Sequence, residues 1–383
     1  MSGLGRVHSL VDLQKLAGRR LPRMVREFVD GGADDEVTLR ANVSDFAKIV
    51  LQPRTMADVS ERSQEVTVFG ETYPSAVGLS PAGLARLVHQ DGELAAARAA
   101  AAAGTIFAPS IASSFSIEDI AGAANGPRWF QLYLWKDRGV IETVVQRAQA
   151  AGCRALVLTV DVPIVGNRRR DVHNGMSIPP KIRLGNALDA AMHPRWLIGL
   201  VRGERITFRN LLGVADGDDA IVIGTYVNNQ LINPGAVWDD FTWLRGLWDG
   251  PLLVKGVLTA DDARRAVDAG ADGVVVSNHG GRQLDGAPSA IRALDAIAQA
   301  NIGTTELFLD GGIRTGVDVV RARALGAKMV FVGRPWFWGL AAGGEAGVAR
   351  MLEILRSEVD RTLALLGCSR LEDVDRSWVT AEF

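Results

Sequence analysis

Eight short apolar runs, rich in Val, Ile, Leu and Ala, recur along the chain at 75–80, 106–110, 129–134, 155–161, 252–256, 273–278, 306–310 and 329–333. Short apolar runs bounded by polar or glycine turns mark strands buried on both faces. Between most of them the apolar positions change to helical spacing. The stretch 92–103 is almost all alanine, with Glu93 and Arg98, a strong helix former. The stretches 260–269 and 317–325 run into Gly270 and Gly326, the residue type that commonly closes helices. Repeated strand–helix units with parallel strands build an open doubly wound sheet or a closed barrel. Eight of them favour an α/β fold of the (β/α)8, or TIM-barrel, type.

Polar residues collect at the carboxyl ends of these runs: Ser80, Ser110, Gln131 with Tyr133, Thr159 with Asp161, Lys255, Ser277 with His279, Asp310, and Gly333-Arg334. In a barrel all of these converge on one mouth, whereas an open sheet strings them along an edge. Taken singly, each is a helix cap or a satisfied core group. The joint pattern is what points to closure.

Two regions fall outside the alternation. Residues 1–70 read as a helical appendage. Ser9 caps a helix over 10–17, Pro22 starts another, and Met24, Val25, Phe28 and Val29 share one face of it. Gly31-Gly32 stops that helix, and Asp34-Asp35-Glu36 is expected to open the next one with the charge that a helix N-terminus favours. After the fourth strand the alternation lapses over 162–237, too long a gap for a structureless connection. It carries Arg168-Arg169-Arg170 and the run HPRWLIGLVR over 193–202. Its apolar residues either pack a lid on the mouth, the favoured expectation, or lie on a membrane surface. The organisation expected is one domain over 1–383, with the barrel over 75–366.

Composition changes this picture little. The 383 residues are 48% hydrophobic and 22% charged with a net charge of −2, so no global field draws in nucleic acid. Cys153 sits in an apolar stretch, and neither it nor Cys368 has a partner at metal-ligand spacing, so neither a disulfide framework nor a metal is expected. No run reaches the ~18 apolar residues of a membrane span, and the first residues lack an apolar signal segment. A cytoplasmic location is expected, with peripheral membrane contact through the insertion as the alternative. His8 and His89 read as exposed, and His173 as structural.

The chemistry concentrates in GVVVSNHGGRQLDGAP, residues 273–288. A buried strand here discharges an imidazole and a guanidinium, His279 and Arg282, into a glycine-rich turn that can lie close to a ligand. The pair suits an acid substrate, with a base for a proton and a planar cation for a carboxylate. The bland reading is a turn whose histidine caps a helix. The loops after the last two strands, Asp310-Gly311-Gly312-Ile313-Arg314 and Gly333-Arg334, each pair glycine with arginine, which suits a phosphate. No G-x-G-x-x-G follows an early strand, so a mononucleotide, flavin phosphate above all, fits better than a nicotinamide dinucleotide.

These motifs, together with LVKGV, FQLYLWKDR, LTVDVP and FLDGGIRTGVDVVRARALGA, resemble the FMN-dependent L-2-hydroxy acid oxidases and dehydrogenases, a family that includes glycolate oxidase, lactate dehydrogenase, lactate oxidase and mandelate dehydrogenase. The resemblance spans about 10–373, and DVHNGMSIPP with the HPRW insertion is most similar to the mandelate and lactate dehydrogenase branch. It implies FMN on the barrel mouth, its ring contacted by Ser110, Gln131, Thr159 and the backbone of Ser80, Pro81 and Ala82. Lys255 would lie by the N1/O2 edge and Ser277 by the ribityl chain, with Asp310, Gly311, Gly312, Arg314, Gly333 and Arg334 on ribityl and phosphate. His279 would be the base, Asp161 its partner, Arg168 and Arg282 the carboxylate ligands, and Tyr133 the ligand of the hydroxyl. The implied reaction takes an L-2-hydroxy acid to the 2-oxo acid, by hydride or carbanion transfer to flavin N5. Oxygen, a quinone or another acceptor then reoxidises the flavin. Homotetramers are also implied.

Three positions depart from the family pattern. Phe28 stands where a tyrosine usually binds the substrate carboxylate, and among the remaining tyrosines only Tyr226, in the insertion, is a candidate replacement. Ala112 stands where short-chain enzymes carry a large aromatic, so an aromatic or bulky, mandelate-like acid is expected. Ser80 replaces a glycine or alanine beside the flavin, which leaves oxidase against dehydrogenase open. Competing readings are an FMN-dependent oxidase of a peptide or natural-product intermediate, a phosphate-substrate barrel with Lys255 as Schiff-base nucleophile, and a non-catalytic scaffold.

Overall fold

The computed structural model describes residues 3–176, 183–203, 206–213 and 233–383. Seven parallel strands form one curled sheet, in the order β4 (Val77–Leu79), β10 (Met329–Val332), β9 (Glu306–Asp310), β8 (Gly273–Val276), β7 (Leu252–Val257), β6 (Ala155–Thr159) and β5 (Trp129–Tyr133). The expected strand at 106–110 is present only as isolated bridges, Leu79 to Phe107 on one side and Ser110 to Gln131 on the other. It still closes the ring. Leu79 N–H donates to Ile106 O at 2.9 Å, and Gln131 N–H donates to Pro109 O at 2.9 Å. Pro109 has no N–H to give, so a regular ladder cannot form there. The fold is a (β/α)8 barrel whose second stave is irregular.

Bulky rings fill the barrel. Trp129 packs against Phe308 with centroids 5.4 Å apart and against Phe331 at 5.3 Å. Phe69 closes the amino-terminal end against both Trp129 (5.8 Å) and Phe308 (5.7 Å), held there by the β2–β3 hairpin (Val66–Val68 and Glu71–Tyr73). With that end stoppered, the carboxyl-end mouth is left for a ligand.

The appendage covers part of the mouth. Helix α1 (Leu10–Gly18) starts at Ser9, whose hydroxyl accepts from Asp12 N–H at 3.1 Å, as its sequence predicts. Helix α2 (Arg23–Asp30) ends at Gly31, also as predicted. Helix α3 (Val37–Ser44) departs from expectation. Glu36 precedes it in a left-handed conformation (φ 60°) and its side chain caps nothing. The exposed amides of Asp35 and Thr38 are taken instead by Asp285, from the loop that carries His279, at 3.1 and 2.8 Å. A reciprocal amide pair, Asn42 with Asn278 at 2.8 Å in both directions, seats α3 beneath the same loop. The tail returns as well: β11 (Val379–Ala381) pairs antiparallel with β1 (Ile49–Leu51).

The insertion is helical over Arg169–Asn174, Leu184–Ala191 and Pro194–Arg202. Trp196 packs inward and its indole N–H reaches Leu87 O at 2.7 Å, in keeping with a lid. Leu184, Leu188, Met192, Ile198 and Val201, however, are half to three-quarters exposed. No helix among the described residues is long and apolar enough to cross a membrane. His8 is exposed as expected. His89 is not, because it packs half-buried against the break at Gly344 in the long Arg334–Leu366 helix.

Candidate active site

The strand ends converge on a cavity of about 470 Å³. Its floor holds Lys255, Ser80, Ser110 and Asp310. One end presents His279, Arg282, Arg168, Tyr133 and Phe28, and the other presents Gly311, Gly312, Arg314, Gly333 and Arg334. Pro81 and Ala82 line it too. Four residues expected at the site stand just behind the wall: Gln131, Thr159, Ser277 and Asp161. Ser110 Oγ donates to Gln131 Oε1 at 2.6 Å, and Gln131 Nε2 donates to Thr159 Oγ1 at 2.9 Å, so these three form one buried polar chain. Tyr226 lies outside the described residues.

His279 is held in an unusual way. Its φ of 59° is left-handed, followed by Gly280 and Gly281 at 66° and 72°. A non-glycine residue in that region is strained, and such strain persists where surrounding contacts impose it. Here Ser277 Oγ accepts from the His279 N–H at 3.0 Å, and Nδ1 lies 2.9 Å from Asp161 Oδ1. Burial lowers the His279 pKa, and Asp161 only partly restores it. Burial acts to raise the Asp161 carboxyl, but His279, their shared bond and Lys255 outweigh it and hold the group below its ordinary value. An ionised Asp161 fixes Nδ1 as the donor and leaves Nε2 with its lone pair. Room for this pair depends on Gly256, where a Cβ would stand 2.7 Å from Asp161 Cβ and Cγ.

Lys255 Nζ sits 2.8 Å from Asp310 Oδ2 and 3.1 Å from Ser277 Oγ. Burial would strip its proton, but the charges of Asp310 and Asp161 prevail and raise its pKa. A lysine paired with a buried carboxylate is a poor Schiff-base nucleophile, which counts against the aldolase-like reading. Ser80 Oγ also donates to Asp310 Oδ2, at 3.0 Å.

The arginines form a crowd. Arg282 stacks 5.2 Å over the Phe28 ring and donates to the carbonyls of Phe28 (2.8 Å) and Gly31 (2.9 Å). Arg334 reaches Val29 O, Gly31 O and Gly280 O at 3.1, 2.8 and 2.9 Å. Both thereby moor the carboxyl end of α2, whose carbonyls carry the helix's partial negative charge. Burial, then the charges of Arg168 and Arg334, push Arg282 well below the usual arginine range. Arg314 lies against Trp338 at 5.0 Å and is pushed down to about 10 by burial and by Arg334. Burial also takes Arg334 to about 10. So much buried positive charge calls for anions at both ends of the cavity.

The cradle fits FMN. A Cβ on Gly333 would meet nothing nearer than Ser80 Cβ at 4.0 Å, and one on Gly311 nothing within 3.7 Å, so glycine keeps both walls open. Arg168 Nε is buried with no hydrogen-bond partner among the described residues. Lys255 and the paired glycine–arginine loops are the residues that would hold the ring edge and the phosphate of FMN. The comparisons agree: residues 17–381 match the family model described as FMN-dependent dehydrogenase.

The chain belongs to the FMN-dependent dehydrogenase family. It is 44% identical over 384 residues to the L-lactate dehydrogenase of Pseudomonas entomophila, covering 98% of this chain and 99% of that protein. It is 43% identical over 378 residues to a putative L-lactate dehydrogenase of Mycobacterium tuberculosis, covering 98% and 90%. The crystal structure of the monotopic membrane protein (S)-mandelate dehydrogenase superposes with a TM-score of 0.94 at 39% identity, covering 98% of this chain and 100% of that one. A mandelate oxidase structure gives 0.82 at 38% identity, covering 98% and 99%. The protein is an FMN-dependent 2-hydroxy acid oxidoreductase.

Several wall residues were invisible in the sequence. Leu84, Val165, Val172, Met176 and Phe208 give the cavity an apolar side, and Asp171 lines it with Arg168 and Arg282. Phe208 comes from deep in the insertion, where no periodicity ties it to the mouth.

Proposed function

We propose that this enzyme oxidises an aromatic or otherwise bulky L-2-hydroxy acid to the 2-oxo acid. The observation that carries the reading is the substrate end of the cavity, where Phe28, Ala112, Leu84, Met176 and Phe208 surround the acid-binding arginines with apolar surface. Arg168 and Arg282 grip the substrate carboxylate and gain the anion that their mutual repulsion lacks. Tyr133, whose pKa burial raises, stays protonated and hydrogen-bonds the substrate hydroxyl. His279 Nε2 takes the proton, and the Asp161 carboxylate stabilises the imidazolium formed. When bound, FMN would supply the acceptor for the two electrons of the oxidation. Asp310, Gly311, Gly312, Gly333, Arg314 and Arg334 would hold its ribityl phosphate, and Lys255, with Ser80 and Ser110, its ring.

A substrate panel tests the reading. The kcat/KM for mandelate-like acids should exceed that for lactate and glycolate, and the reverse ranking removes the proposal. Phe28→Tyr, by adding a donor to the carboxylate, should raise kcat/KM for lactate and glycolate. A hydrogen bond to a charged carboxylate is worth about 1.5–3 kcal/mol, so the gain should be roughly tenfold or more.

We further propose that the insertion rests on a membrane surface, where a quinone receives the electrons. Its support is the outward stripe of Leu184, Leu188, Met192, Ile198 and Val201, flanked by Arg195 and Arg202. The wild-type enzyme should pellet with anionic vesicles. The triple variant Leu188→Ser, Ile198→Ser, Val201→Ser should stay in the supernatant with unchanged kcat toward a soluble dye, and equal pelleting of both refutes the contact. Homotetramer assembly is proposed from the family resemblance, and a solution mass of four chains is the expected result.

A further inference from the structure

We infer that Gln283 is a positioning residue that brackets the two loops carrying the catalytic groups, so that Asp161 and Arg168 are presented to His279 and to the substrate as one rigid unit. The inference rests on the assignment of His279 as the base. The loop after β6 carries Asp161 and Arg168, and the loop after β8 carries His279 and Arg282. One side-chain amide joins them at three points. Gln283 Nε2 donates to Asp161 O and to Ile164 O, both at 2.9 Å, and Gln283 Oε1 accepts from Gly166 N–H at 3.2 Å. Donor and acceptor ends of the amide are both used, which an isosteric carboxylate or thioether cannot reproduce. The backbones lie so close that a side chain on Gly166 would collide with the Arg282 carbonyl. Residues 162, 165, 166 and 168 of the first loop line the cavity, as do His279, Gly280 and Arg282 of the second.

The bracket closes a circuit. The Asp161 carboxylate holds His279 Nδ1 at 2.9 Å, while Gln283, four residues after His279, holds the Asp161 carbonyl. Buried β-strand ends fix the start of each loop, but nothing in β6 or β8 fixes how the loops face each other. Asp161 Oδ2 is buried with no hydrogen-bond partner among the described residues, so its side chain depends on its own backbone and on Oδ1 for its aim. Arg168 Nε likewise has no hydrogen-bond partner among the described residues, so its aim depends on the loop in the same way.

Gln283→Met removes all three bonds at nearly constant size, whereas Gln283→Glu keeps only the acceptor toward Gly166 and turns a carboxylate toward two carbonyls. Both variants should retain FMN, because the phosphate loops lie elsewhere on the mouth. Both should lose roughly 10- to 100-fold in kcat, the scale of a small misplacement of reacting groups, and should raise KM through Arg168. The charged and titratable groups facing His279 are Asp161, Lys255 and Arg168. Of these, only Asp161 raises its pKa, so a loosened Asp161 should move the acid limb of the kcat/KM profile to lower pH. Wild-type kcat and an unmoved limb in both variants, with or without a lower Tm, overturn the inference and leave Gln283 a fold staple. If the Met variant loses FMN, the Glu variant decides by the same two readouts. His279→Gln runs in parallel: if it keeps turnover, the base assignment itself fails, and if it alone is inactive, only the bracket falls.

Discussion

Replacing His279 with Gln lowers kcat by roughly 10²–10⁴, the usual effect of losing a general base, while the protein stays yellow with bound FMN. The geometry separates the two functions. His279 stands on the loop after β8, whereas the arginine and glycine loops proposed to seat the phosphate follow β9 and β10. Rapid mixing with substrate under nitrogen, followed at the flavin absorbance, reads the loss directly. Near-normal bleaching rates would falsify the assignment. With His279 as the proposed base, the active form is neutral imidazole, so kcat/KM should rise with pH through the His279 pKa. Burial holds that pKa below its ordinary value, so the plateau is reached at a lower pH than a solvated histidine gives. Asp161→Asn removes the charge that partly offsets burial, so its limb moves to still lower pH and its plateau falls.

Lys255→Met has the second large effect, and it falls on stability as well as on turnover. Lys255 is 4% exposed and Asp310 7% exposed, so neither charge has water to fall back on. Deleting the ammonium leaves the Asp310 carboxylate with hydroxyl partners, Ser80 at 3.0 Å and Ser277 at 3.4 Å. Removing one partner of a buried ion pair costs about 3–5 kcal/mol, visible as a drop in the urea midpoint and as weaker FMN retention. The double change Lys255→Met, Asp310→Asn should recover most of the stability but not the turnover, because the orphaned charge is gone while the cationic floor is still missing. Recovery of both would mean that Lys255 serves the fold alone. Lys255 also depresses the His279 pKa, so its loss shifts the acid limb to higher pH, the opposite direction from that expected of Gln283→Met. The sign of the shift thus tells which neighbour of the imidazole has been disturbed.

Much of the site was legible because its chemistry is local. His279 and Arg282 lie within one turn, and Asp310 to Arg314 within another, so a reader of the chain meets the groups together. The strand-end pattern worked for the same reason: a parallel strand buried on both faces must be apolar, and its polar discharge marks the mouth. Where partners are far apart the reading ran out. Nothing about Asp285 announces that it caps α3, nor about Asn42 that it pairs with Asn278. The acids at 34–36 look like a local cap, and Asp285 took that role because the loop it sits on packs against the helix start. Pro109 was read as part of a strand, yet its missing N–H leaves only bridges there.

The sequence by itself determined the barrel, the place of its mouth and the flavin family, since each is written in a few neighbouring residues whose backbone or side-chain chemistry allows little else. Only the tertiary structure decided which buried charges meet, which apolar residues of the insertion line the cavity and which face outward, and which amide ties the His279 loop to the Asp161 loop. Those are matters of distance between segments that the chain keeps far apart. Burial, which lowers the pKa of His279 and Arg282, is a property of their packing and not of their order.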